Sequence, residues 1–136
     1  MAGGKSDPFR NYVLDYVLGG TSYTPLTTVY IALFTVTPSD TTSGTEVSTS
    51  GTAYARQSVT NNSGSWSAST TGVKQNLNLI DFGTATASWG TIVAGAIMSA
   101  STSGYILYWG PLTSSKTINT NDGFRIPING LTVTES

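Results

Sequence analysis

The side chains able to do chemistry in this chain are few and of one kind. Its carboxylates are Asp7, Asp15, Asp40, Glu46, Asp81, Asp122 and Glu135, and it has no histidine and no cysteine. Glycoside hydrolysis needs two carboxyl groups facing one another across a substrate, and calcium needs several oxygen ligands in one place. No two of the seven stand close enough in sequence to suggest either, and no Asp-x-Asp spacing occurs. Asp40 and Asp122 sit in Ser- and Asn-rich turns, where a carboxylate is expected to bond nearby backbone amides. Without histidine the commonest general base and transition-metal ligand is missing, and without cysteine there is no thiolate chemistry. The many serines have no GxSxG elbow to activate one of them, and Gly72, Gly83, Gly90 and Gly95 are not followed by the GK[ST] of a phosphate loop. No catalytic residue, metal or cofactor is expected, and the chain is read as a non-enzyme.

Two residue classes remain. Trp66, Trp89 and Trp109, with seven tyrosines, suit either a sugar-stacking platform or a core and subunit contact. Arg56 in YARQ and Arg125 in GFRIP lie within strand-like runs of a chain with only six cations, so each is expected to be paired, with Glu46 or Asp122 as partner, inside the subunit or across a boundary.

The elements that must position these groups follow from periodicity. Residues 28–38, TVYIALFTVTP, form a run of β-branched, aromatic and aliphatic side chains that is apolar on both alternate faces. Such a strand belongs in the middle of the fold, covered on both sides. A second strand with two apolar faces is expected at 105–109, ending at Gly110-Pro111. Further strands are expected at 53–61, 73–82, 89–100, 116–119, 123–128 and 131–134, separated by Gly, Asn and Ser turns. Residues 39–52 read as a polar loop, with little to pack. Asp7 is placed to cap a helix over 7–18 with Pro8 at its first position, and Phe9, Tyr12, Val13, Tyr16 and Val17 form its apolar stripe, widened by Leu14 and Leu18. Gly19-Gly20 ends it. The fold class is all-β, a β-sandwich or jelly roll of about eight short strands with one N-terminal helix. Residues 1–6 are expected to be an arm held by a partner chain, and 7–136 one domain.

At 136 residues the chain is long enough for a single core. Charged residues are 10% of it and the net charge is -1, against about 25% charged residues in an average soluble domain. Nothing forms a basic field for nucleic acid or anionic lipid, and no apolar run has the length of a membrane span. A surface with so little charge repulsion suits a subunit that packs into an assembly. The N-terminus lacks the charged-then-apolar order of a signal peptide, so synthesis in the cytoplasm is expected and the Asn61 sequon should be idle.

The order of segments FRNYVLDYVLGGTSYTP, TVYIALFTVTPSD, GTEVSTSGTAYARQSV, ATASWGTI, YILYWGPLTSSKTIN and GLTVTES resembles a family of small bacteriophage virion proteins, labelled as tail-fibre, tail or capsid-decorating (cement) proteins. The resemblance runs from Phe9 almost to the end. It implies a non-enzymatic β-sandwich carried on the virion, with no catalytic or metal residue to transfer. The leading expectation is a decoration protein that binds the major capsid protein and other copies of itself, in a trimer on the coat lattice. The alternatives are a tail or tail-fibre component, or a carbohydrate-binding module. Lys5, Arg10, Glu46, Tyr54 and Trp66 are the residues expected at the partner interface.

Overall fold

The computed structural model describes residues 3–135, so Met1 and Ala2 of the expected arm and Ser136 of the expected domain lie outside the described residues. The chain is mostly β and antiparallel, with a single helix among the described residues. Strand β1 (Gly4–Lys5) precedes α1 (Asp7–Leu18). Then come β2 (Thr28–Val36), β3 (Thr45–Glu46), β4 (Gln57–Thr60), β5 (Val73–Gln75), β6 (Ile80–Thr84), β7 (Gly90–Met98), β8 (Ile106–Ile118), β9 (Gly123–Ile126) and β10 (Thr132–Thr134). One large sheet has the order β1-β8-β7-β2-β3, with β4 on the same edge of β2 as β3; β6 pairs with β9, and β5 with β10, in two separate ribbons.

The two-faced apolar run is the middle of the large sheet, as its pattern predicts. Val29, Ile31 and Leu33 of β2 enter the larger core with Ile92 and Ile97 of β7 and Leu107 of β8. Phe82, Phe124, Tyr54 and Trp89 pack into this same core. Ala32 and Phe34 point the other way, against Ala94, Ala96, Met98 and Ile106. Small side chains on that second face leave room for the chain to return close by. Gly44, at φ +61, makes the turn into β3, and a Cβ there would meet the Pro38 nitrogen at 2.7 Å.

Several boundaries differ from the sequence expectations, each for a tertiary reason. Strand β8 does not stop at Gly110-Pro111 but runs thirteen residues and absorbs the expected 116–119 strand. Pro111 sits at a register shift against β7, and on the opposite side of β8 the short β1 pairs only with Tyr108 and Trp109, so the missing N–H breaks no long ladder. The expected 73–82 strand is two strands in different ribbons. Asn76, 1% exposed, breaks it: its Oδ1 accepts from Leu131 N at 2.8 Å, while its Nδ2 donates to Asn78 O at 2.8 Å and Pro127 O at 2.9 Å. Of the expected 53–61 strand only β4 is paired, and Ala53, at φ +60, lies outside the extended region. The polar loop over 39–52 contains β3 and buries Val47.

The arm is held by its own chain. Gly4 and Lys5 pair with Trp109 and Tyr108, and a Cβ on Gly4 would meet Asp40 Oδ1 at 2.7 Å, so a small residue suits the close approach. The helix cap is Ser6 rather than Asp7: Ser6 Oγ accepts from Phe9 N at 3.4 Å and donates to Ile106 O. Asp7 instead places its charge in the first turn, where the helix dipole favours it.

Candidate functional site

Three groups of polar and aromatic side chains stand out, and they differ in whether their bonding capacity is used up inside the subunit. The first lies where β3 meets the segment before β4. Glu46 Oε1 accepts from Tyr54 Oη at 2.8 Å and Arg56 Nε at 2.9 Å, and Glu46 Oε2 accepts from Arg56 Nη2 at 2.8 Å. Arg56 Nη1 donates to Ala100 O at 2.7 Å and Ser103 O at 2.8 Å, and Leu33 N donates to Tyr54 Oη at 2.9 Å. The Tyr54 ring stacks on Phe82 and meets Trp89 edge-on at 5.5 Å. Burial pushes the Tyr54 phenol well above its ordinary range, with the Glu46 carboxylate adding to the shift. The bidentate bond to Glu46 raises Arg56. Arg56 thus takes the first of its two expected partners. This is a clamp joining β2, β3 and the turn after β7. Of its two residues expected at the interface, Tyr54 is 3% exposed, while the Glu46 side chain keeps 24% of its surface open.

The second group ties the N-terminus down. Arg10 bridges to Asp40 and to Asp7, Asp40 Oδ1 accepts from Trp109 Nε1 at 3.1 Å, and Asp7 N donates to Asp40 O at 3.0 Å. Asp40 therefore bonds across the fold rather than to its own turn; Asp122, by contrast, accepts locally from Asn119 N at 2.9 Å. Lys5 pairs with Glu135, which also accepts from Tyr108 Oη at 2.7 Å. Burial pushes Glu135 up, but the bonds from Lys5 and Tyr108 outweigh it and leave the carboxyl below its usual range. Burial, then Glu135, raises the Tyr108 phenol. Arg125 pairs with Asp81 at 3.1 Å, not Asp122.

The third group is open. Helix α1 buries only Phe9, whose ring meets Tyr108 at 5.3 Å and Tyr23 at 6.3 Å. Tyr12 leans on Tyr105 at 5.5 Å, but Leu14, Tyr16, Val17 and Leu18 are exposed, Leu18 at 81%. The apolar stripe expected to cover the sheet does so through Phe9, Tyr12 and Val13, in its first two turns. Beside it runs an open groove of about 900 Å³, with Tyr23, Leu26, Val29, Trp66, Leu107 and Tyr108 among its lining residues. Trp66, expected at the interface, is one wall of this groove. Its apolar floor was legible as strand residues, but no periodicity marks the loop that raises Trp66 beside it.

Among the described residues no three carboxylates gather in one place, and no helix is long and apolar enough to cross a membrane. The arrangement is therefore one of surfaces: a clamp, a pinned N-terminus, and an exposed apolar helix flanking a groove.

No curated protein matches the sequence. The family described as Podophage GP4 fiber I protein gp80 matches over residues 4–134, from β1 through the last residue of β10. That span carries the whole large sheet, both ribbons and the exposed helix. It shifts the weight from the expected capsid decoration to the fibre alternative, since the family is described as a fibre protein. A bacteriophage virion structural protein by these relations, this chain belongs to the Podophage GP4 fiber I protein gp80 family.

Proposed function

We propose that this chain is a non-enzymatic subunit of a phage tail fibre, attached to its neighbours through the exposed face of α1. The observation that supports it is the coincidence of a fibre-family match over nearly the whole chain with a helix whose Leu14, Tyr16, Val17 and Leu18 side chains are exposed. Monomeric soluble proteins rarely leave a contiguous cluster of this kind open to water. Leu14, Val17 and Leu18 stand on one helix within two turns, the i, i+3, i+4 spacing by which an amphipathic helix enters an apolar groove. The low charge of the chain offers little repulsion to close packing of many copies.

The partners in this reading are other copies of the chain, in a closed arrangement of three about a local axis, and a second virion protein under α1. We further read the fold as a β-sandwich, with the β6–β9 and β5–β10 ribbons forming the layer that faces the Ile31 and Leu33 side of the large sheet.

Copy number per purified virion, by densitometry against the major coat protein, is the direct test. A fibre subunit is expected at a few to tens of copies. Near parity with the coat protein would instead return the chain to the capsid lattice, with the major capsid protein as partner.

A further inference from the structure

We propose that the groove beside α1 receives the exposed stripe of α1 from a second copy of the chain, with Asp15 of one copy pairing with Lys74 of the next. The inference rests on the reading of α1 as the attaching face and names what that face enters.

The first support is the pairing of charges. Among the described residues Lys5 pairs with Glu135, Arg10 with Asp7 and Asp40, Arg56 with Glu46, and Arg125 with Asp81. Asp122 accepts from Asn119 N, and Lys116 stands over the Phe124 ring at 5.7 Å. Two ions are left. The Asp15 carboxylate has no bond among the described residues, and Lys74 Nζ has only the neutral Ser67 carbonyl, at 2.8 Å. Asp15 is on the exposed helix and Lys74 on the groove lining, so the two surfaces carry opposite unpaired charges.

The second support is the end of the helix. A helix favours cations in its last turn, yet α1 has no basic residue there and carries Asp15 instead. Of the last four carbonyls, which no helical N–H reaches, Asp15 O accepts from Gly19 N at 3.0 Å and Thr21 N at 3.1 Å. Inside the subunit this end has the wrong sign for its own dipole. Against the groove it has the right one. Lys74 supplies the cation there, and Asn62 Nδ2 is a free donor on the same lining, its Oδ1 accepting from Gly64 N at 3.0 Å and Ser65 N at 3.1 Å.

The third support is shape. At about 3.6 residues per turn, Leu14, Val17 and Leu18 point away from Phe9 and Tyr12, whose rings hold α1 to its own subunit. The groove offers an apolar floor of Leu26, Val29 and Leu107 within about 900 Å³, a seat for the apolar face of a helix. Stripe and groove are different patches of one chain, so the contact is heterologous, and successive copies follow one another round an axis until the ring closes. Tyr16, exposed on the other side of α1, is left for the second virion protein.

The test is sedimentation velocity of the full chain at low salt, at concentrations up to about 1 mM, the range that a particle imposes on neighbouring subunits. The wild-type chain is expected to associate. Asp15→Lys and Lys74→Asp, both at exposed positions, should each weaken association roughly tenfold or more. The double variant should recover it, because the pair is restored with its signs exchanged. Since the chain has no cysteine, Leu18→Cys and Ser69→Cys variants report which surfaces meet. Mixed and oxidised, they should give the crossed disulfide in excess over either self-linked product. The proposal is overturned if the wild-type chain stays monomeric throughout, or if the double variant associates no better than the single ones. It is also overturned if Leu18→Cys links chiefly to itself, which would mean that helices pair with helices. Copy number per virion tests the fibre reading separately: parity with the coat protein would overturn that reading and leave these association results standing.

Discussion

The Glu46–Arg56–Tyr54 clamp and the α1 groove contain the same kinds of residue and put them to opposite use. In the clamp, the Tyr54 hydroxyl, both Glu46 oxygens and three Arg56 nitrogens are all bonded within the subunit. At α1 and its groove, large apolar side chains face water and the Trp66 indole and Asn62 amide have unused donors. A satisfied buried network holds one structure in place, because removing a member strands the others. An unsatisfied, exposed surface contributes little to folding and is therefore free to be specified by what it meets. Substitutions in the two regions should separate accordingly.

The largest effect is expected at Glu46. Glu46→Ala leaves the Arg56 guanidinium, 9% exposed, without its counter-ion, and should lower stability by about 3 kcal/mol in a guanidinium melt. A loss under half of that would mean the clamp contributes little to the fold. Tyr54→Phe removes the acceptor for Leu33 N and one donor to Glu46, for about 1–3 kcal/mol in the same assay.

Alkali probes the same side of the comparison without mutation. The Tyr54 and Tyr108 phenols are raised in the folded chain, so their contribution is intact below the unfolded tyrosine value near pH 10 and is lost as pH rises beyond it. Thermal melts should fall steeply above that pH, and Tyr54→Phe should remove part of the slope.

On the open side, Leu14→Ser with Leu18→Ser should change stability by about 0.5 kcal/mol or less, yet abolish incorporation into particles, read by western blot of purified virions. Retained incorporation would remove α1 from the interface. The smallest effect is expected at Glu135. Its lowered carboxyl contributes above the ordinary value of 4.5 and ceases to contribute as pH falls through the folded value, so Glu135→Gln should flatten only the acid end of the stability profile.

Much of the fold is legible along the chain. The alternation over residues 28–36 identifies a strand buried on both faces, and the helix bounds at Asp7 and Leu18 follow from its spacing and the glycines after it. The Glu46–Arg56 pair is foreshadowed by the scarcity of charge. The site was less visible. Lys5, Arg10 and Trp66 were singled out for being rare residue types, and nothing local says that Lys5 meets Glu135 at the opposite end of the chain, or that Arg10 and Trp109 share Asp40. The break at Asn76 was hidden because a buried amide that accepts from Leu131 and donates to Pro127 has the same spacing in sequence as an exposed one on a polar face.

By itself the sequence determined the class of this protein: mostly β, low in charge, and without cysteine or histidine. Those properties are sums and periodicities, and a chain carries them wherever it folds. Only the tertiary structure decided which residues remain available. Tyr54 and Trp66 are both aromatic, loop-borne and near-buried, but one hydroxyl is enclosed between Leu33 and Glu46 while the other ring keeps its N–H unpartnered in a groove. Availability depends on what distant segments bring alongside, and that is a property of packing rather than of residue type.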